Sequence, residues 1–181
     1  MIIEDGTGTG KQAKVNSGNR LYTKAVTATT DEDINVQSNN VWSVPFEGLN
    51  PAGADDYVVY IKNTGDKALS FSDIRVSVDT AASQLKLHAV SGTASGGTTL
   101  SPISRTVESS ALPSATIESG TDITGLTDEG VIFFIQCPVV ATQYHLSTSS
   151  KIRIPKGKAI ALSVETATAN VTGVISIYEE E

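Results

Sequence analysis

Alternating apolar and polar side chains in the middle of the chain limit its possible folds more than any other feature. Residues 71–78 (FSDIRVSV) and 85–89 (LKLHA) place apolar side chains at nearly every second position. A period of two is typical of antiparallel strands that turn one face to a core and the other to water. On this pattern His88 lies on the polar face, so we expect it to be solvated.

Composition favours the same fold class over the whole chain. Serine and threonine together make up more than a fifth of the 181 residues, and there are 15 glycines. Threonine suits strands, whereas serine and glycine are common in turns. Long runs of strong helix formers are absent. The chain is therefore predicted to be all-β, an antiparallel β-sandwich that is jelly-roll-like, with an extended N-terminal arm.

Apolar runs that end at turn residues predict the remaining strands. These runs lie at 20–29, 41–46, 57–63, 130–137, 144–146, 151–155, 160–165 and 171–178. Pro45 should break the second run and confine it to an edge or an end of a sheet, since proline has no amide hydrogen for a ladder. We predict one β-sandwich domain over 21–181, with a long loop-rich region at about 92–130 that holds one or two short strands.

Residues 1–20 are predicted to form an extended arm that docks on a partner. Glycine alternates with threonine there, and glycine loses much conformational freedom when it becomes ordered, so a partner surface is the expected place for ordering. About 20 extended residues would reach roughly 65 Å. The residues expected to carry docking are Asp5, Gly6, Gly8, Gly10, Lys11, Lys14 and Arg20.

The charge of the chain argues against nucleic-acid binding. The net charge is −7, whereas nucleic-acid binding needs a basic footprint. Basic side chains gather at 11–24 and at 151–158, either to dock on an acidic protein surface or as a solvated face. No apolar run approaches the roughly 20 residues that span a bilayer, so no membrane partner is expected. Cys137 is the single cysteine and is expected to be buried and free of any intrachain disulfide.

No catalytic, cofactor or metal site is predicted. A phosphate-binding loop aligned on Gly10-Lys11 fails, because Asp5 replaces the first glycine and Gln12 the final hydroxyl. His88 and His145 are the only histidines, too few with Cys137 for a zinc site. No serine lies in a G-x-S-x-G elbow. The protein is therefore expected not to be an enzyme.

Three aromatic residues leave a binding alternative open. Trp42, Tyr57 and Tyr60 could form a stacking platform for sugars, as in carbohydrate-binding β-sandwiches. Packing in the core explains them better in a chain with only 6% aromatic residues.

The N-terminal block resembles a family of structural proteins of tailed bacteriophages. The residues that carry the resemblance are Asp5-Gly-Thr-Gly-Thr-Gly-Lys-Gln-Ala-Lys-Val15 and Asn19-Arg-Leu21, followed by weaker similarity at 57–63, 120–125 and 155–157. Similar proteins are virion components, and jelly-roll capsid decoration proteins and head fibres are the nearest comparison. The resemblance implies no catalytic residues.

The resemblance implies a non-enzymatic virion protein that decorates or cements the capsid through its arm. Its partners would be the major capsid protein or other virion proteins, and it would be a homo-oligomer, with a trimer favoured. It would be assembled in the bacterial cytoplasm and located in the virion. The alternatives are a structural protein of the neck, tail or fibre base, and a β-sandwich module that binds host glycans.

Overall fold

In a computed structural model of the protein, the described residues are Ile3–Glu4, Gln12–Ala13 and 39–180, with only the backbone described at 147–151. The contacts divide the chain into two units, 1–30 and 31–181. In the first unit, β1 (Ile3–Glu4) pairs antiparallel with β2 (Gln12–Ala13), and Ile3 lies opposite Ala13. These two short strands therefore run in opposite directions. The remaining arm residues and the predicted strand at 20–29 lie outside the described residues.

Eleven strands lie in the described part of the second unit. They are β3 (Val41–Leu49), β4 (Asp56–Asn63), β5 (Leu69–Val78), β6 (Ser83–Ser95), β7 (Thr98–Thr99), β8 (Ile103–Ser104), β9 (Ala115–Ser119), β10 (Thr124–Cys137), β11 (Tyr144–Ile154), β12 (Ala159–Val164) and β13 (Val171–Glu179). All described residues in regular structure are strand, which confirms the all-β prediction.

Two antiparallel sheets pack face to face. The six-stranded sheet has the order β10-β6-β12-β4-β9-β7, and the five-stranded sheet has the order β11-β5-β13-β3-β8. Side chains of both sheets meet in one core, such as Trp42 and Phe71 from the smaller sheet and Leu87 and Leu162 from the larger. The β-sandwich is therefore confirmed, and the jelly-roll connectivity stays a prediction.

Two strands differ from the sequence-based expectation. β3 continues through Pro45 to Leu49, so the predicted break at this proline was wrong. The proline is tolerated because β8 pairs only with Trp42 and Ser43, which leaves the outer side of β3 without a described partner at position 45. The runs at 144–146 and 151–155 are two ends of the single strand β11, whose register against β5 shifts between Ser147 and Ile152.

The region 92–130 holds more strand than expected. It contains β7, β8 and β9, together with the last residues of β6 and the first of β10. What remains irregular is mainly residues 105–114. β6 and β10 can pair this far because two glycines with positive φ, Gly92 and Gly125, allow their backbones to approach closely.

Candidate interaction surfaces and the His88 cluster

The predicted docking residues are not among those described. Asp5, Gly6, Gly8, Gly10, Lys11, Lys14 and Arg20 all lie outside the described residues. The structure instead places two exposed apolar surfaces on the sandwich. We refer to Ile103, Val107 and Leu112 as the loop patch, and to Val131, Ile132 and Phe134 as the β10 patch.

The loop patch lies in the irregular segment beside β8. Ile103 is 60% exposed, Val107 87% and Leu112 69%. Several bonds tie this segment to the sandwich, including one of 2.8 Å from the Trp42 indole N–H to the carbonyl oxygen of Ala111. The amide N–H groups of Arg105 and Ser114 donate to the Val41 carbonyl at 2.9 Å and the Glu179 carboxylate at 2.7 Å. The loop is thus anchored at its beginning, near its tip and at its end, while its apolar side chains face solvent.

The β10 patch lies on a strand at one end of the six-stranded sheet. Val131 is 39% exposed, Ile132 40% and Phe134 55%. β6 covers one side of β10, and no other strand among the described residues pairs with the opposite side. Exposed apolar side chains on a sheet edge are a common site of association between chains.

The turn after β10 also exposes two apolar side chains. Val139 and Val140 are 57% and 42% exposed. The Tyr144 hydroxyl accepts a hydrogen bond of 2.9 Å from the Val139 amide and donates one of 3.2 Å to the Val139 carbonyl. The Ala141 amide donates to the Val78 carbonyl at 2.7 Å. These bonds hold the two valines in their exposed positions.

A cavity of about 440 Å³ lies next to the β10 patch. Its lining includes Ile132 from β10, Ile152 and Ile154 from β11, and the charged residues Lys62, Glu129, Arg153 and Lys158. The cavity therefore joins Ile132 on β10 to residues of β11 in the other sheet, with charged residues of both signs in its lining.

The basic segment at 151–158 is partly neutralised within the chain. Arg153 Nε lies 2.8 Å from a carboxylate oxygen of Glu180, and the Lys156 ammonium pairs with Asp66. These pairs reduce the positive charge that this segment can offer an acidic partner. The prediction of docking through this segment stays a prediction.

His88 is buried, so the expectation that it is solvated was wrong. It is 6% exposed. Its Nε2 lies 2.9 Å from the Ser163 hydroxyl, and its Nδ1 lies 3.0 Å from a carboxylate oxygen of Asp128. The Tyr57 ring meets the imidazole edge to face, with centroids 5.2 Å apart. We call His88, Ser163, Asp128 and Tyr57 the His88 cluster.

The cluster forms because the outer face of the six-stranded sheet is also covered in part. Apolar side chains on this face, Tyr60, Val90, Ile123, Ala159 and Ala161, make a second buried cluster. A histidine on the polar side of β6 is therefore enclosed, and it keeps polar partners on the neighbouring strands β12 and β10. No local pattern predicts this cluster, because Asp128 and Ser163 are 40 and 75 residues from His88.

The order of side chains in the cluster matches a serine–histidine–aspartate triad, but a substrate cannot reach this serine as it does in such triads. In such triads the serine hydroxyl must reach a substrate carbonyl. Ser163 is 0% exposed and lies on β12, an interior strand of the sheet. The arrangement therefore acts as a buried polar network that joins β10, β6 and β12. The contact with Ser163 gives the buried imidazole Nε2 a hydrogen-bond partner, which a buried polar group needs.

This arrangement shifts the pKa of the Asp128 carboxyl. Partial burial opposes its ionisation, but the hydrogen bond from the Gly130 amide and the contact with His88 together lower the pKa of the carboxyl below its usual value. The Gly130 amide donates to Asp128 at 2.8 Å. The Asp128 carboxylate therefore makes two contacts, one with the backbone of β10 at Gly130 and one with the imidazole of His88 on β6.

The three aromatic residues considered as a sugar platform do not share a surface. Trp42 is 1% exposed in the main core, and Tyr60 is 2% exposed on the other sheet. Tyr57 packs against His88. Core packing is confirmed for Trp42 and Tyr60, so these rings cannot stack on a glycan.

Cys137 is buried as predicted. It is 0% exposed at the end of β10, and burial raises the pKa of its thiol to about 11. A thiol in this state is a poor nucleophile and a poor metal ligand. Among the residues that the structure describes, no group of three or more His, Cys, Asp or Glu side chains is arranged to hold a metal ion.

Comparison with known proteins assigns this chain to no family. No family model, no curated protein and no solved structure matches this chain. Within the described part of the chain, no helix has the length and apolar character needed to cross a membrane.

Proposed function

We propose that this chain is a non-enzymatic structural protein of a tailed-bacteriophage virion, which decorates or cements the capsid. The observation that carries the proposal is the loop patch, an exposed apolar surface on a segment that is bonded to a β-sandwich at several points. Ile103, Val107 and Leu112 are all more than half exposed. An apolar surface held in a fixed shape suits docking to a protein partner, since little order is lost on binding.

The N-terminal arm has the second role in this proposal. Its resemblance to phage structural proteins is the most specific sequence signal in the chain, and its basic residues suit an acidic protein surface. The partners would be the major capsid protein or other virion proteins. The protein would act as a homo-oligomer, for which a trimer and a jelly-roll connectivity are expected. Repetition on a shell would add many weak contacts into strong attachment.

The buried position of Ser163 supports a role without catalysis. Its hydroxyl is held by His88 inside the sheet, where a substrate carbonyl cannot reach it without opening of the fold. The overall charge of −7 supports protein partners over nucleic acid.

Attachment to virions lacking the protein tests the proposal. We expect a variant with Ile103→Lys, Val107→Lys and Leu112→Lys to remain folded but to lose most attachment, because three charges would have to be buried at the contact. A chain without residues 1–20 should also fold and attach less. The matched control is Thr121→Lys, which adds a charge at an exposed position outside both patches.

Copy number separates the capsid from other places on the virion. Quantitative mass spectrometry of purified virions should find the chain in amounts close to those of the major capsid protein. About a dozen copies would favour a neck, tail or fibre-base protein instead. Absence from virions, or full attachment of both variants, would contradict the proposal.

A further inference from the structure

We draw no further inference here: the strongest candidate, the cavity of about 440 Å³ lined by Ile132 on β10 and by Ile152 and Ile154 on β11, has charged residues of both signs in its lining, and nothing in the structure shows which ligand or partner fills it.

Discussion

Replacement of His88 by alanine should destabilise the protein far more than replacement of the other histidine. The imidazole is buried, and it contacts the Ser163 hydroxyl at 2.9 Å and Asp128 at 3.0 Å. Removing the ring should cost about 2 kcal/mol in lost packing, including the contact with Tyr57. The Ser163 hydroxyl, left buried without this partner, should add about 1 to 3 kcal/mol. Asp128 is half exposed and can be hydrated, so we expect a total loss of about 3 to 5 kcal/mol.

His145→Ala is a matched control within the same chain. His145 also faces an aspartate, with Nε2 at 3.2 Å from Asp73, but its side chain is 45% exposed. An exposed ion pair contributes little, so this change should cost less than about 1 kcal/mol. The comparison therefore isolates burial, because both histidines have a carboxylate partner at similar distance.

Urea denaturation followed by the fluorescence of Trp42 provides the measurement. Trp42 is the only tryptophan and is buried in the main core, so its emission should report unfolding of the sandwich. His88→Phe keeps a ring beside Tyr57 but removes the hydrogen bond, so it should lose only about 1 to 3 kcal/mol. The losses from His88→Ala and Ser163→Ala should not add in the double variant, because both remove the same contact. Equal losses for His88→Ala and His145→Ala would refute the reasoning.

Four further predictions concern other parts of the sandwich. Cys137 should not react with a thiol reagent in the native protein and should react fully in urea. Because the pKa of its thiol is raised to about 11 in the folded protein, the free energy of unfolding should fall as pH rises from about 9 to 11, which urea unfolding curves at alkaline pH would show. Gly92→Ala should destabilise by at least about 2 kcal/mol, because Gly92 has positive φ and a β-carbon there would collide with the Gly125 carbonyl; an unchanged urea midpoint would contradict this. The lowered pKa of Asp128 stabilises the fold above the usual carboxyl pKa, and this contribution is lost as pH falls through the folded pKa, so Asp128→Asn should weaken the pH dependence of stability in acid. Ser163 should not be labelled by a fluorophosphonate under native conditions, and labelling that depends on His88 would argue for catalysis.

Much of the fold could be predicted from local sequence. The alternation at 71–78 and the apolar runs at 57–63 and 171–178 correspond to β5, β4 and β13 within a few residues. Such predictions succeed because a strand buried on one face must place apolar side chains at every second position. This alternation can be recognised from consecutive residues without knowledge of the strand's partners.

Other strands depend on partners that are far away in the sequence. The first residues of β10, from Thr124 to Gly130, show no useful alternation, yet they pair with the end of β6. β11 continues through polar residues between its two apolar ends because β5 lies beside it, and a register shift absorbs the mismatch. A local pattern cannot show this, since the hydrogen bonds of a strand are made with another segment.

The sequence by itself determined the fold class, most of the strands and, for β5 and β6, which side chains lie toward the core. Only the tertiary structure decided that His88 is enclosed with Ser163 and Asp128, and that β10 lies at the end of a sheet with Val131 and Phe134 exposed. The physical reason is that periodicity is a property of one strand, whereas burial on the second face and exposure at an edge depend on which strands become neighbours. That order is set by long-range pairing across the sheet.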